Sequence, residues 1–334
     1  GWITKEIIQS GLGGFDKTCD NRGYAYLSLN LAEKELEVLR PDIESFIHLS
    51  RVDLSKNNLK EISALAALPN LISINASENA IETVEILENK GTLQNLRTLD
   101  LSKNKLTRLP KVCLRRLTRL NVKENEISSV EGFVDCYNLS IIEFRTNKLT
   151  NLKGFENIPN LKELFVAENE ITSFSDVQNL PKLEIFHLRK NAIEKLPEAW
   201  PKLPSLKKYN LRENQIADLA EIKKFEQLED THWINLAGNP VSDEAGDGFK
   251  KEVLIMLPYM EVVNKDAVTE EDRKEAEEEK DERRKEEEEK RRIAEEEAAE
   301  AEKNGEEGEA GEDQDYYPPI QLFALYLFNQ FITR

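Results

Sequence analysis

The residues best suited to chemistry are three histidines, because an imidazole can bind a metal ion or move a proton near neutral pH. They are His48, His187 and His232, and no carboxylate or cysteine stands at metal-ligand spacing from any of them. The glycine-rich residues 11–14 lack the Lys-Ser/Thr pair of a phosphate-binding loop and the spacing of a dinucleotide-binding loop. No Gly-x-Ser-x-Gly motif of a serine hydrolase occurs. We therefore expect no catalytic residue, no metal and no cofactor, and a protein that is not an enzyme.

The charge of the chain limits the class of partner. The 334 residues carry a net charge of −18. Residues 267–315 hold 24 acidic and 10 basic side chains, a net of −14, so the rest of the chain is nearly balanced at −4. Such an acidic protein repels nucleic acid and anionic membranes, and no apolar stretch reaches the roughly 18 residues needed to span a bilayer. We expect protein partners, and neither nucleic acid, membrane nor small-molecule substrate.

The cysteines indicate a reducing compartment. Cys19, Cys113 and Cys136 are odd in number and widely separated, which does not suit a disulfide framework. We expect Cys113 and Cys136 to be small buried residues on the returning side of structural repeats. The sequence begins at Gly1 without a methionine or a signal-peptide pattern, and we expect the natural chain to extend further at this end.

The elements that must position any functional residue are internal repeats. Residues 49–59 fit the pattern Leu-x-x-Leu-x-Leu-x-x-Asn-x-Leu. The pattern returns seven times, a ninth copy ends at residues 234–241, and a degenerate copy at residues 26–36 has Lys34 in place of the asparagine. The seven are residues 71–81, 96–106, 117–127, 139–149, 161–171, 183–193 and 206–216. About ten units result, mostly 22 residues apart.

The residue types of a unit follow from its geometry. A short strand points alternate side chains inward, so the leucines fill the interior, and no unit buries its core without stacked neighbours. At the turn after the strand, an asparagine amide can satisfy backbone groups left unpaired between stacked coils. Nine units supply this residue: Asn57, Asn79, Asn104, Asn125, Asn147, Asn169, Asn191, Asn214 and Asn239.

The returning half of each unit sets the fold class. Residues 65–71, 155–161, 177–183 and 200–206 have apolar side chains at every third position and a proline, a spacing that favours 3₁₀ helix. The sequence therefore predicts an α/β solenoid. It is a curved, right-handed leucine-rich-repeat coil with a parallel sheet on the concave face and short 3₁₀ segments on the convex side.

The chain divides into five predicted segments. They are an N-terminal cap (1–25), about ten leucine-rich repeats (26–241), a C-terminal repeat cap (242–267), a charged helix (268–303), and a disordered acidic linker with an apolar tail (304–334). We expect a short amphipathic helix in the first cap. In the second, Phe249, Val253, Met256 and Leu257 share one helical face, which Pro258 ends, and residues 259–263 add a last strand.

The two final segments leave alternatives open. The charged segment has one strongly apolar residue, Ile293, and no heptads, which favours a solitary helix stiffened by Glu–Lys/Arg pairs over a coiled coil. It is either a solvated tail or a rigid spacer that contacts a basic surface. The apolar residues 316–332 are either a docking peptide or sequence that does not belong to the mature protein, and we favour the second interpretation.

The candidate binding site lies in the later units of the concave face. Their outward positions offer five apolar or aromatic residues with an arginine rim: Ile141, Phe165, Ile185, His187 and Trp233, rimmed by Arg145, Arg189 and Arg212. Because neighbouring strands lie about 4.8 Å apart, these side chains should form one patch with the composition of a binding hot spot. The alternative is scattered surface apolar residues. We expect the patch to bind a partner segment carrying apolar and acidic residues.

The repeats, the Asn239-Pro closure and the cap at residues 257–260 resemble the SDS22-like family, which includes a phosphatase-1 regulator, ciliary dynein-associated proteins and a spliceosomal subunit. Residues 3–12, 23–29 and 47–54 are similar to a narrower family of leucine-rich-repeat proteins of ciliary radial spokes. This resemblance implies a cytoplasmic scaffold in the axoneme of motile cilia or flagella, bound to radial-spoke or other axonemal subunits.

Two other functions stay open at this point. One is an SDS22-like regulatory subunit or cytoplasmic adaptor that binds a phosphatase, which should present acidic and aromatic contacts along most units. The early units here are mostly small and polar, which counts against it. The other is a subunit of a nuclear RNA particle, which the absence of a basic or aromatic RNA-binding surface disfavours.

Overall fold

The computed structural model describes residues 2–39, 41–228 and 230–306. The chain divides into two compact units, Gly1–Glu277 and Glu278–Arg334. The first holds the repeats, and the second consists, as far as it is described, of the continuation of one helix. The predicted apolar tail lies outside the described residues. The five-segment division predicted from the sequence remains a prediction.

The first unit is built on a thirteen-stranded sheet. Its eleven inner strands run parallel, and one antiparallel strand closes each end. Its strands are β1 (Leu12–Lys17), β2 (Tyr24–Asn30), β3 (Arg51–Asp53), β4 (Ser73–Asn75), β5 (Thr98–Asp100), β7 (Arg119–Asn121), β9 (Ile141–Glu143), β10 (Glu163–Phe165), β11 (Ile185–His187), β12 (Lys208–Asn210), β13 (Trp233–Asn235), β14 (Val262–Val263) and β15 (Asp266–Ala267). The predicted leucine-rich-repeat solenoid is confirmed.

The strands are short because each repeat contributes one inward residue between two outward ones. Ile142, Leu164 and Phe186 are fully buried at the centres of three successive strands, where they stack on one another. The leucines that flank each strand are buried as well, so the core is a continuous column along the solenoid. Each unit therefore gains its stability from its neighbours.

The asparagine of each repeat joins two coils through its side-chain amide. Asn147 Oδ1 accepts the backbone N–H of Ile127 in the preceding unit at 3.0 Å. Its Nδ2 donates to the carbonyls of Val122 and Phe144, each at 3.0 Å. The same acceptor bond, to a backbone N–H of the preceding unit, recurs at Asn57, Asn79, Asn104, Asn125, Asn169, Asn191, Asn214 and Asn239.

A second row of asparagines, not foreseen from the sequence, ties the coils together at the start of four repeats. Asn70 Nδ2 donates to the Ile47 carbonyl at 2.8 Å, and Asn95 Nδ2 donates to the Pro69 carbonyl at 2.9 Å. Asn138 and Asn160 make the equivalent bonds in later units. These side chains satisfy carbonyls that the strands leave unpaired.

The returning side agrees with the predicted 3₁₀ structure only in part. Besides Pro41–Ser45, 3₁₀ turns lie at Ser63–Ala67, Glu85–Glu88, Lys224–Gln227 and Gly246–Gly248. The prediction is right for residues 65–71 and wrong for 155–161, 177–183 and 200–206, which form turns and extended chain. Asn157 (φ 62°) and Asn179 (φ 57°) adopt the left-handed conformation, which interrupts a 3₁₀ helix in two of these segments.

Two features of the returning side, a small sheet and a short helix, had no counterpart among the predictions. Strands β6 (Arg108–Leu109) and β8 (Ser129–Val130) form a small parallel sheet. A four-residue helix, α2 (Ala220–Lys223), precedes the 3₁₀ turn of the last repeat. Helix α2 lies in the lengthened unit between Tyr209 and Ile234, where the repeat has extra residues on its returning side.

Both ends of the core are capped by helices. Thr4 caps the start of helix α1 (Lys5–Gly11), because its Oγ1 accepts the Ile7 N–H. The helix buries Ile8. Helices α3 (Pro240–Ala245) and α4 (Phe249–Met256) cover the other end, with Phe249 and Val253 buried. Pro240 occupies the first turn of α3, where its missing N–H costs nothing. The expected last strand over the core is β14, parallel to β13.

The charged segment forms helix α5 (Glu270–Glu306), which extends three residues beyond the predicted end at Lys303. Thr269 and Asp272 cap its start reciprocally, each side chain accepting the backbone N–H of the other. Ion pairs one turn apart, such as Arg283–Glu279 and Arg292–Glu296, follow the helix. In the part of the chain that the structure describes, no helix has the length and apolar character required to cross a membrane.

Candidate protein-binding face

The strand register places the candidate residues in two adjacent columns of the concave face. Ile141, Glu163 and Ile185 lie opposite one another across β9, β10 and β11. Glu143, Phe165 and His187 form the neighbouring column on the same strands. Because Glu163 separates Ile141 from Ile185, the two isoleucines are not adjacent, and the aromatic contact on this face is between Phe165 and His187.

Phe165 is the centre of a small group of side chains, here named the Phe165 cluster (Glu143, Arg145, Phe165 and His187). The His187 ring meets the Phe165 ring edge-on, with 5.0 Å between the centroids and 74° between the planes. The Arg145 guanidinium carbon lies 5.4 Å from the Phe165 centroid, within cation–π range. Both rings are half-buried. The cluster therefore offers a partner ring edges held in fixed positions beside the Arg145 guanidinium.

Glu143 holds this cluster together, although nothing in the sequence marks it as buried. Its side chain accepts bonds from Arg145 Nε and Nη2 at 2.9 and 2.8 Å, and Arg119 Nη2 lies 3.9 Å from its other oxygen. The residue is only 5% exposed. A buried carboxylate is tolerated when it is paired and hydrogen-bonded, as here. Glu143 thus fixes the Arg145 side chain over the Phe165 ring.

His187 is held in the neutral form by its surroundings. Burial lowers the pKa of His187, the nearby Arg145 charge lowers it further, and Glu143 acts in the opposite direction. The imidazole is therefore uncharged at neutral pH. It contributes an aromatic surface to the cluster and does not add a second cation.

A groove of about 930 Å³ opens beside the Phe165 cluster. Ile185 of β11 and Trp233 of β13 form its apolar walls, with Lys208 of β12 between them. The remaining lining residues come from the same region: Glu184, His187, Pro204, Ser205, Lys207 and Asn210. The groove brings together three of the predicted residues, His187, Ile185 and Trp233, and it is large enough for one or two side chains of a partner.

The predicted arginine rim is largely neutralised by the chain itself. Arg189 donates from Nε and Nη2 to the two carboxylate oxygens of Glu213 at 3.2 and 3.3 Å. Arg212 Nε lies 2.9 Å from the same carboxylate. In contrast, Lys207 and Lys208 beside the groove are exposed and make no ion pair with another described residue. The positive charge available to a partner therefore lies at these lysines.

The first half of the concave face is polar and internally bonded. Asp53 Oδ1 accepts both the backbone N–H and the hydroxyl of Ser55, at 2.9 and 2.6 Å. The same arrangement recurs in the next two units, at Asn75 with Ser77 and at Asp100 with Ser102. These side chains already have partners, so the three units of β3, β4 and β5 offer few of them for specific recognition.

The cysteines and histidines are not assembled into a reactive site. Cys113 and Cys136 are buried and Cys19 is exposed. Burial raises the pKa of the Cys136 thiol to about 11, so it stays protonated. No three His, Cys, Asp or Glu side chains within the described ranges are grouped so that they could hold a metal ion.

Comparison with known proteins places the chain in a family. The Leucine Rich Repeat family matches residues 95–117. Leucine-rich repeat-containing protein 23 of Homo sapiens is 31% identical over 276 residues, which cover 82% of this chain and 78% of that protein. The Xenopus tropicalis protein of the same name is 35% identical over 277 residues, or 82% and 77% of the two chains. The chain belongs to the leucine-rich repeat-containing protein 23 family.

A solved structure supports the fold alone. The leucine-rich repeat domain of APL1B is 21% identical, with a TM-score of 0.50 over 64% of this chain and 62% of that chain. Family membership therefore accounts for the repeats, and the pairing and burial of side chains define the candidate binding face within them. For this member of the leucine-rich repeat-containing protein 23 family, Glu143, Lys207 and Lys208 join the candidate residues, because burial and pairing are visible only in the folded chain.

Proposed function

We propose that this protein is a non-enzymatic scaffold subunit of the radial spokes in the axoneme of motile cilia or flagella. Membership of the leucine-rich repeat-containing protein 23 family over 82% of the chain is the observation that carries the proposal. The N-terminal residues 3–12 and 23–29, which resemble radial-spoke leucine-rich-repeat proteins, support it as well. The role is to hold neighbouring spoke subunits in place.

The surface proposed for this role combines the Phe165 cluster with the adjoining groove. Half-buried aromatic rings next to a pocket have the composition and geometry of a binding hot spot. A partner side chain that is apolar enters the groove between Ile185 and Trp233. An acidic residue of the same partner segment meets Lys207 and Lys208, since Arg189 and Arg212 are paired with Glu213. The expected ligand is thus a segment with apolar and acidic residues.

The phosphatase-binding alternative receives less support from the same face. A regulatory subunit of the SDS22 type should present acidic and aromatic contacts along most repeats. Here Asp53 and Asp100 are bonded to neighbouring serines, and the outward positions of strands β3, β4, β5, β7 and β9 hold no aromatic side chain. The contacts offered to a partner therefore occupy one half of the solenoid.

The proposal is tested by combining two apolar substitutions on the face. Phe165→Ala with Ile185→Ala should weaken capture of axonemal partners at least tenfold, because each side chain lies at the centre of the proposed contact. The matched control is Asn75→Ala with Asn121→Ala, two substitutions in equivalent outward positions of the polar half. Wild-type affinity of the Phe165/Ile185 variant for every partner would contradict the proposed face.

Localisation tests the cellular role separately. The tagged protein should concentrate along the axoneme when it is expressed in a ciliated cell. A diffuse cytosolic signal with no axonemal component would contradict the radial-spoke proposal while leaving the binding face untouched. The two experiments therefore fail independently.

A further inference from the structure

The two edge strands of the thirteen-stranded sheet differ in length and charge. At the C-terminal end the last strand is β15, which has only two residues and is preceded by the charged Lys265. At the N-terminal end the last strand is β1, which has six residues and pairs on one side only. Proteins usually shorten or charge an edge strand to prevent pairing with another chain. Within the described residues, β1 is the edge of this sheet that is open.

The outward backbone groups of β1 follow from its pairing with β2. Thr18 N–H donates to the Gly23 carbonyl at 2.9 Å, and this bonded pair fixes the alternation along the ladder. The residues bonded to β2 are therefore 12, 16 and 18, and Gly14 between them has a left-handed φ of +60°. Gly13, Phe15 and Lys17 direct their N–H and C=O groups away from β2. The Lys17 N–H is bonded to Asp16 Oδ1 at 2.7 Å, which agrees with its outward direction.

An exposed aromatic group lies on the same hairpin. Phe15, Tyr24 and Tyr26 are 64%, 63% and 47% exposed. The Phe15 ring lies 6.0 Å from the Tyr24 ring and 5.2 Å from the Tyr26 ring, centroid to centroid. Phe15 is on the outermost strand, so among the described residues no strand neighbours the side of its ring that faces away from β2. Three large aromatic side chains exposed together are unusual on a surface without a partner.

We propose that β1 pairs antiparallel with β1 of a second copy of this chain, around a twofold axis at Phe15. The three outward residues are symmetric about that position, so Gly13 of each copy lies opposite Lys17 of the other, whose N–H exchanges its local bond with Asp16 for the Gly13 carbonyl. The Phe15 residues of the two copies exchange two backbone hydrogen bonds. An identical edge strand is self-complementary only in the antiparallel direction, as a twofold axis requires.

Side chains and charges fit this register. Asp16 lies opposite Gly14 of the other copy, so no like charges face each other and the glycines leave room for the longer side chains. The two Phe15 rings become cross-strand neighbours and join the tyrosines in one row of six rings. Aromatic cross-strand pairs stabilise antiparallel strands. A second copy therefore fits both the backbone and the side chains of this edge.

Charge substitutions at Phe15 test the axis directly. The wild-type full-length chain should sediment as a concentration-dependent dimer. Phe15→Lys and Phe15→Glu each place like charges opposite each other across the axis, and each should raise the dimer dissociation constant at least tenfold. Mixing the two variants should restore dimers, because opposite charges then meet. Phe15 is exposed, so neither substitution removes a core contact.

Two further variants separate strand pairing from a general aromatic effect. Phe15→Pro removes one outward N–H without breaking the ladder to β2 and should also weaken the dimer. Tyr137→Lys changes an aromatic residue that is 55% exposed elsewhere on the repeats, and it should leave the dimer intact. A monomeric wild-type chain at all accessible concentrations would overturn the proposal. So would a dimer unaffected by Phe15→Lys and Phe15→Pro, or variants that fail to associate when mixed.

Discussion

Glu143 determines what the concave face can present to a partner. Its carboxylate is buried on a surface strand, where an unpaired charge would be costly, and two arginines compensate it. Arg145 is thereby held over the Phe165 ring instead of extending into solvent. A single acidic residue in the strand therefore converts a flexible arginine into part of a rigid aromatic surface. Rigid side chains lose less entropy when a partner binds.

The charges of this cluster should be visible in the titration of His187. Because burial and Arg145 both lower its pKa, the imidazole should titrate below its usual value of 6.5 in the folded protein. Arg145→Gln removes a cation and should raise this pKa. Glu143→Gln removes the anion that stabilises the protonated form and should lower it further. The shifts can be followed by NMR of the His187 ring protons.

The titration has a natural control. Arg212→Gln removes an arginine that pairs with Glu213 and not with the Phe165 cluster, so the pKa of His187 should not change. If Arg145→Gln lowered the pKa, the geometry of the cluster would be wrong.

At the level of elements, the turns of the returning side depend on single glycines. Gly154 has φ +93°, a conformation that L residues rarely adopt. A Cβ at this position would lie 2.4 Å from the Val130 carbonyl oxygen, in the β8 strand of the preceding coil. Neighbouring coils therefore approach each other here more closely than any side chain allows, so this turn requires glycine.

Two glycine substitutions test this explanation. Gly154→Ala should lower the free energy of unfolding by about 1–3 kcal/mol, because it adds both backbone strain and a clash with backbone. Gly248→Ala is the matched control, since Gly248 has φ −75° and nothing lies within 4 Å of its added Cβ. It should change stability by less than about 0.5 kcal/mol. Urea unfolding measures both, and equal effects would contradict the role of Gly154.

For the whole molecule, stability depends on covering the ends of a one-dimensional core. The last repeat would expose Ile234 and Leu236 without the C-terminal cap, whose residues Phe249, Val253 and Leu257 are buried. The part of helix α5 beyond Glu277 is stabilised in a different way. Its described side chains from Glu282 to Glu300 are exposed, and they are stabilised by pairs along the helix itself. The cap is therefore essential to the repeats, and the outer part of the helix is not.

Two truncations distinguish these contributions. A chain ending at Glu277 should keep its unfolding midpoint within about 2 °C of the full-length protein. A chain ending at Gly248 loses helix α4 and strand β14 of the cap and should lose its cooperative transition, because the end of the core becomes solvated. Thermal unfolding followed by circular dichroism gives the comparison. A cooperative, unshifted transition in the shorter chain would show that the repeats need no cap.

The repeating consensus alone determined the solenoid. Nine aligned asparagines with aligned leucines leave one way to bury the apolar side chains, and the alternation of each strand identified Phe165, His187 and Trp233 as outward residues. The helix containing Phe249 and Val253 was equally predictable from the sequence, because its helical spacing differs from that of the repeats. Patterns of this kind are local or periodic, so a sequence displays them directly.

Only the tertiary structure decided which outward side chains are available. The pairing of Arg189 and Arg212 with Glu213, the burial of Glu143 and the groove beside Trp233 join residues of different repeats. The same holds for the open edge at β1 and for the turn at Gly154, where the approach of another coil sets the conformation. Distances between repeats depend on how the coils stack, and no spacing along the chain specifies them.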